Sequence, residues 1–104
     1  MKRETIEREV LGAINRTTGY IARLNHTLHD IGLNMNELVM IHVEVEKKLS
    51  LPSDEEAPMD FVDGFEETME ERYQATIPFS HEFIPEVHIT IQDYVDYLYN
   101  YIHK

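Results

Sequence analysis

The sequence predicts a small all-α fold, a helical bundle that forms a single domain of 104 residues. Two observations support this class. Apolar residues recur at three- and four-residue steps along much of the chain, which is the spacing of the buried face of a helix. Residues that cap helices precede two of these segments, and helix breakers end two of them. A chain of this length can bury only a modest core, so it has little stability to spare.

The first helix is predicted from an apolar stripe in the first quarter of the chain. Its members are Ile6, Val10, Ala13, Ile14, Thr17, Ile21 and Leu24. Gly12 and Gly19 weaken this helix, and Gly19 is a candidate break. Residues 25–34 lose the periodicity and contain polar side chains and Gly32, so we expect a loop that leads to the second helix.

The second helix has a recognisable start. The side chain of Asn34 can accept a hydrogen bond from a first-turn amide, and Glu37 can reach back as in a capping box. Residues 41–46 also alternate like a strand, but the following run reaches Leu49 without Gly or Pro and Pro52 then stops it, which favours helix. The expected inward face is Leu38, Ile41 or His42, Val45 and Leu49, with Val39 and Val43 beside it.

A third helix is predicted where four large apolar residues lie four positions apart, namely Phe61, Phe65, Met69 and Tyr73. Glutamates occupy its other sides. Pro78 and Pro85 then bracket an irregular connection, whose apolar residues Phe79, Phe83 and Ile84 we expect to pack onto the body. The last helix begins after Thr90, which has the capping-box spacing to Asp93. It should bury Ile91, Val95, Leu98 and Ile102.

Composition narrows the classes of partner. Nine Lys and Arg stand against twenty Asp and Glu, a formal charge of −11. Such a chain repels nucleic acid and anionic lipid, and it favours encounter with basic protein surfaces. There is no cysteine and no apolar run long enough to span a bilayer, so we expect a cytoplasmic protein without a membrane segment.

One segment resembles a known family. Asp30, Ile31, Gly32 and Asn34 are similar to the Asp, Leu, Gly and Asp that precede the prosthetic-group serine of acyl carrier proteins, and Met35 stands in the place of that serine. Residues 51–57 resemble the turn after the second helix of the family, and residues 88–98 resemble the start of its last helix. The resemblance covers roughly two thirds of the chain. Residues 58–87 are longer than the corresponding stretch and are interpreted as an insertion.

The resemblance implies an acyl-carrier-protein-like bundle that cannot carry in the usual way. In the family a serine hydroxyl bears 4′-phosphopantetheine, whereas the thioether of Met35 cannot form a phosphodiester. Ser50 lies at the far end of the predicted helix, and Ser80 lacks the flanking motif, so neither replaces it. We therefore expect no cofactor. Met35 is interpreted as a loss of attachment in a divergent carrier; an engineered substitution and an accidental similarity at this residue are the alternatives.

The resemblance also implies a docking surface, because the second helix of carrier proteins presents carboxylates to arginine-rich patches of partner enzymes, such as those of fatty-acid or polyketide synthesis. By position, the candidate partner-binding residues are Asp30, Met35, Glu37, Met40, Glu44 and Glu46. The predicted function is a non-catalytic interaction module that docks on a basic partner through this helix. The alternatives are an acidic mimic of DNA and a genuine acyl carrier protein whose serine is substituted at position 35.

No catalytic or metal site is predicted. The chain lacks a phosphate-binding glycine loop, a Ser/His/Asp set and a cysteine nucleophile. His26, His29 and Asp30 have nitrogen and carboxylate ligands, but they fall in a loop without a second cluster, so a metal site is not favoured. The tyrosines of the last helix are a candidate self-association or partner surface, although core packing explains some of them equally well. They are Tyr94, Tyr97, Tyr99 and Tyr101.

Overall fold

The computed structural model describes residues 1–51, 58–76 and 87–103. Within these ranges the chain forms four helices: α1 (Arg3–Thr18), α2 (Met35–Leu49), α3 (Pro58–Tyr73) and α4 (Ile91–Ile102). Helix α1 packs against α2 and α4, and α2 also packs against α3. The predicted all-α bundle is confirmed. The turn at residues 52–57 and the connection with Phe79, Phe83 and Ile84 lie outside the described residues.

Helix α1 is shorter than its apolar stripe suggested. It ends at Thr18, because Gly19 adopts a left-handed conformation with φ of 76° and its N–H group donates to the carbonyl of Asn15. The chain then leaves the helix axis, so the prediction that Ile21 lies in the buried stripe is wrong, and this side chain is 83% exposed. Leu24 is half-buried in the following loop.

Both predicted capping boxes are confirmed. The Asn34 side chain accepts from the N–H of Glu37 at 2.9 Å, and the Glu37 carboxylate accepts from the N–H of Asn34 at 3.3 Å. Thr90 and Asp93 repeat this arrangement at the start of α4, at 3.2 and 3.0 Å. Each cap satisfies amides that have no partner within the helix, and such caps stabilise proteins by about 1 kcal/mol.

A set of backbone hydrogen bonds ties the loop before α2 to the start of α4. The N–H groups of Ile91 and Gln92, which have no acceptor within their helix, donate to loop carbonyls instead. We call these bonds the backbone clasp. They run from Leu28 to Ile89 at 2.8 Å, from Ile91 to His26 at 3.0 Å and from Gln92 to Leu24 at 3.0 Å.

The core is one apolar cluster to which all four helices contribute. Rings of α3 and α4 meet edge to face, with centroids 5.1 Å apart for Phe61 and Tyr97 and 5.6 Å for Phe65 and Tyr94. The predicted inward residues of α2 are all buried, and so are those of α4 except Ile102, which is half-buried. Within the described ranges, no helix has both the length and the apolar character needed to cross a membrane.

Tyr73 departs from the predicted stripe of α3. It is 38% exposed, whereas the three preceding members of that stripe are buried. Its hydroxyl donates to the Asp93 carboxylate at 2.7 Å, and Arg72 contacts the same carboxylate at 3.1 Å. The last turn of α3 therefore holds the first turn of α4 through polar contacts.

Candidate functional site

Position 35, where the resemblance places the prosthetic-group serine, lies inside the protein. Met35 is 2% exposed and belongs to the apolar core. It occupies the first turn of α2 on the same face as Leu38 and His42, because positions 35, 38 and 42 are three and four residues apart. The prediction that Met35 contacts a partner is therefore wrong for this fold, since its thioether fills core space instead of facing solvent.

Glu46 is a second predicted docking residue that is buried. It is 8% exposed, and its carboxylate lies 3.2 Å from Nε2 of His42, one turn earlier on α2. Burial raises the pKa of Glu46. The carboxylate therefore contacts His42 inside the protein, and its predicted role in docking is corrected to a structural one.

The other four predicted docking residues keep at least part of their side chains accessible. Met40 is 61% exposed and Asp30 is also exposed. Glu37 is half-buried in the capping box, and Glu44 forms an ion pair with Arg16 of α1. Because Glu44 is neutralised and Glu46 is buried, the outer face of α2 is far less acidic than the sequence suggested.

The centre of that outer face is apolar. Around Met40 lies a shallow groove of about 380 Å³, lined by Val39, Met40, Val43, Glu44 and Lys47. A neighbouring groove of about 270 Å³ shares two of these residues and continues past the C-terminal end of α2 to Leu51 and Pro58. We call the strip formed by the exposed Asn36, Met40, Lys47 and Lys48 and the half-buried Glu37 and Val43 the α2 outer strip.

A buried polar network lies beneath this strip. Nδ1 of His42 is 2.7 Å from the hydroxyl of Tyr94, and the imidazole stacks on Phe61 with centroids 3.9 Å apart. The Glu46 carboxylate lies 3.2 Å from Nε2 and, when ionised, can only accept, so we assign the proton of the neutral ring to Nε2 and the acceptor role toward the tyrosine to Nδ1. The sequence alone left open whether Ile41 or His42 faces inward, and both are buried. The contact between His42 and Glu46 could have been predicted, because residues four positions apart lie on the same face of a helix.

Burial sets the protonation of this network. It lowers the pKa of His42 to about 4, so the imidazole is neutral at pH 7. It also raises the pKa of Tyr94, with a smaller contribution from the negative charge of Glu46. Tyr94 is 1% exposed. A closed network of this kind specifies how α2 and α4 pack, and it offers no group that could reach a substrate.

The densest run of acidic residues in the chain includes six on α3. Residues 54–71 contain nine Asp and Glu and neither Lys nor Arg. Of those on the helix, Asp60, Asp63, Glu67 and Glu71 are exposed. Successive members are three, four and four residues apart, so they form one row on the side opposite the buried Phe61, Phe65 and Met69. We call these four carboxylates the α3 acidic row.

The remaining candidates do not assemble into a site. His26 accepts from the N–H of Arg23 through Nδ1, and Asp30 is exposed at the loop surface. Among the described residues, no group of three or more His, Asp and Glu side chains is placed to hold a metal ion. On α4, Tyr94 is core, whereas Tyr97, Tyr99 and Tyr101 are half-buried.

Ser50, one of the two serines that the sequence analysis rejected as a phosphopantetheine site, caps the C-terminal end of α2 in a left-handed conformation with φ of 54°. It is therefore at the opposite end of the helix from the position that the carrier motif requires.

No family model, no curated protein and no solved structure matches this chain. The resemblance to acyl carrier proteins stays a prediction that is supported by the motif residues alone.

Proposed function

We propose that this protein is a non-catalytic interaction module that binds a basic surface of a partner protein. One observation carries the proposal: the negative charge is concentrated in residues 54–71 of the sequence, and four exposed carboxylates of this stretch form the α3 acidic row. Charge elsewhere is close to balance, since residues 54–71 account for nine of the twenty acidic residues and for none of the nine basic ones.

The geometry of the row suits a basic partner. With a rise of 1.5 Å per residue, the four carboxylates extend over about 16 Å at steps of about 5 to 6 Å. Each exposed ion pair contributes at most about 1 kcal/mol, so the row acts mainly on the rate of encounter and on orientation. Binding through it should weaken as salt is added, because exposed charges are screened over about 10 Å at 0.1 M.

The structure thus favours α3 over α2 as the surface for a basic partner. Docking through α2, which the carrier resemblance implies, would depend on Asp30, Glu37 and Glu44. Glu44 is already paired with Arg16, and Glu37 is half-buried with one of its two carboxylate oxygens in the helix cap, so α2 offers fewer free carboxylates than the α3 acidic row. Enzymes of fatty-acid or polyketide synthesis are the partner class that the resemblance suggests for docking through α2.

Affinity capture with the whole chain as bait tests the proposal. The bait carrying Asp63→Lys and Glu67→Lys should lose its partners, whereas the bait carrying Glu44→Lys should retain them. If Glu44→Lys alone abolishes capture, α2 is the docking surface. If neither change affects capture and added salt has no effect, the protein does not act through its charge.

The carrier alternative has a separate test. Because position 35 is buried, we expect neither the natural chain nor the Met35→Ser variant to gain the mass of phosphopantetheine when it is produced with a phosphopantetheinyl transferase. The variant should also be destabilised, since it removes a buried methionine side chain at a cost of about 2 to 5 kcal/mol. A gain of that mass by the natural chain would refute the non-carrier proposal.

The α3 acidic row favours a second candidate, an acidic mimic of DNA. One strand of B-DNA carries a phosphate about every 3.4 Å along the axis, or about five over the length of the row. The row presents four carboxylates over that length. Competition decides between the two: a mimic would be displaced from its partner by duplex DNA, whereas a module for another basic surface would not.

A further inference from the structure

The α2 outer strip has an order of charges that makes it complementary to itself. Its N-terminal end carries Glu37, its centre carries the exposed Met40 beside Val43, and its C-terminal end carries the exposed Lys47 and Lys48. Glu44, the other acidic residue on this side, is neutralised by Arg16. From the N-terminal to the C-terminal end of α2, the strip is therefore acidic, then apolar, then basic.

Two copies of the α2 outer strip are complementary when their helices pack antiparallel. When two α2 helices cross at the midpoint between Met40 and Val43, each Met40 faces Val43 of the other copy. Glu37 and Lys47 lie about 7 and about 8 Å from this midpoint along the axis, so each glutamate meets the lysine of the other helix. A two-fold axis produces each of these contacts twice.

We infer that α2 is a self-association surface, and that two copies of this chain pair through the α2 outer strip in antiparallel fashion. Met40 is the central apolar contact, because it is the most exposed large apolar side chain on the helices and lies in the 380 Å³ groove. Its flexible thioether can adapt to the facing groove. The net charge of −11 on each copy opposes this pairing, so the dimer is weak. The inference is independent of the proposed binding of a basic partner.

Sedimentation of the whole chain over increasing concentration tests the inference. We expect a reversible monomer–dimer equilibrium. Met40→Glu should raise the dissociation constant about tenfold or more, because a central apolar contact is replaced by a charge. The matched control is Ile21→Glu, which changes an 83% exposed apolar residue outside the strip and should leave the equilibrium unchanged. Circular dichroism verifies that each variant is folded.

A charge exchange tests the antiparallel arrangement. Lys47→Glu should weaken the dimer about fivefold, since it places two carboxylates together at each of two equivalent pairs. Adding Glu37→Lys to the same chain should restore the affinity. A chain that stays monomeric at all concentrations, or a dimer that tolerates Met40→Glu, overturns the inference; a failure of the exchange to restore affinity overturns the antiparallel pairing.

The same measurements separate this inference from the proposed function. The Asp63→Lys and Glu67→Lys variant should lose the basic partner and still dimerise. Met40→Glu should lose the dimer and still bind the partner. If Asp63→Lys with Glu67→Lys abolishes self-association, the dimer contact involves α3, and the assignment to α2 is refuted.

Discussion

The buried contact between Tyr94 and His42 supports a quantitative prediction. Tyr94→Phe removes one hydroxyl and leaves the ring in place, so its main effect is the loss of the 2.7 Å hydrogen bond to Nδ1. His42 is 3% exposed, and no solvent can replace the lost donor without a rearrangement. We expect the variant to fold and to lose stability through one unsatisfied buried acceptor.

The magnitude follows from the cost of that acceptor. A buried polar group without its partner costs about 1 to 3 kcal/mol, a large fraction of the 5 to 15 kcal/mol that stabilises a typical domain. His42→Phe keeps a ring stacked on Phe61 but leaves both the hydroxyl of Tyr94 and the buried Glu46 carboxylate without this neighbour, so its cost should be larger. When both residues are phenylalanine, the Nδ1 acceptor and the Tyr94 hydroxyl are both absent, and the effect on Glu46 is the same as in His42→Phe alone. The double variant should therefore be more stable than the sum of the single effects by about 1 to 2 kcal/mol.

Urea unfolding at pH 7, followed by circular dichroism, measures all four members of this cycle. The control is Tyr20→Phe, which alters an exposed tyrosine and should change the free energy of unfolding by less than about 0.5 kcal/mol. Strictly additive single effects would refute the reasoning, because they would mean that the two side chains do not depend on each other. A cost for Tyr94→Phe no larger than that of the control would do the same.

Three further outcomes are expected. The pKa of His42 is lowered to about 4 in the folded chain, so as the pH falls below about 6.5 the unfolded chain binds a proton that the folded chain does not. The free energy of unfolding should therefore be highest above pH 6.5 and fall by about 2 kcal/mol by pH 4.5. The raised pKa of Glu46 offsets part of this loss. His42→Phe should flatten this dependence in urea titrations at several pH values. Asn34→Ala should lower the free energy of unfolding by about 1 kcal/mol through loss of the cap, whereas Asn36→Ala, at the exposed neighbouring position, should not. Gly12→Ala should raise the melting temperature, since the new methyl meets only the movable end of an arginine and alanine is favoured in helices by about 1 kcal/mol; Gly64→Ala should not, because its methyl would lie 2.8 Å from a tyrosine hydroxyl.

Much of the fold could be predicted from sequence because its signals are local. Both capping boxes, the buried face of α2 and the break at Gly19 each depend on residues within a few positions of one another. Ile21 shows the limit of this approach. It continues the apolar periodicity by spacing, but the left-handed glycine ends the helix before the stripe can include it.

The candidate docking residues were harder to predict, because burial depends on what lies opposite. Met35 and Glu46 sit at positions that a motif comparison places on the surface, yet α2 is covered over a wide face and both are buried. Glu44 is accessible but paired with Arg16, 28 residues away in the sequence. The carrier resemblance itself stays a prediction, and so does docking through α2.

The backbone clasp has a consequence for how this chain can vary. Its donors and acceptors belong to the main chain, so the bonds survive any substitution that leaves the backbone in place, with proline at Leu28, Ile91 or Gln92 as the exception because proline lacks the N–H group. Burial restricts the first two of these positions to apolar residues, while the third is exposed. Two sequences could therefore diverge widely across this junction and still join the loop to the last helix in the same way.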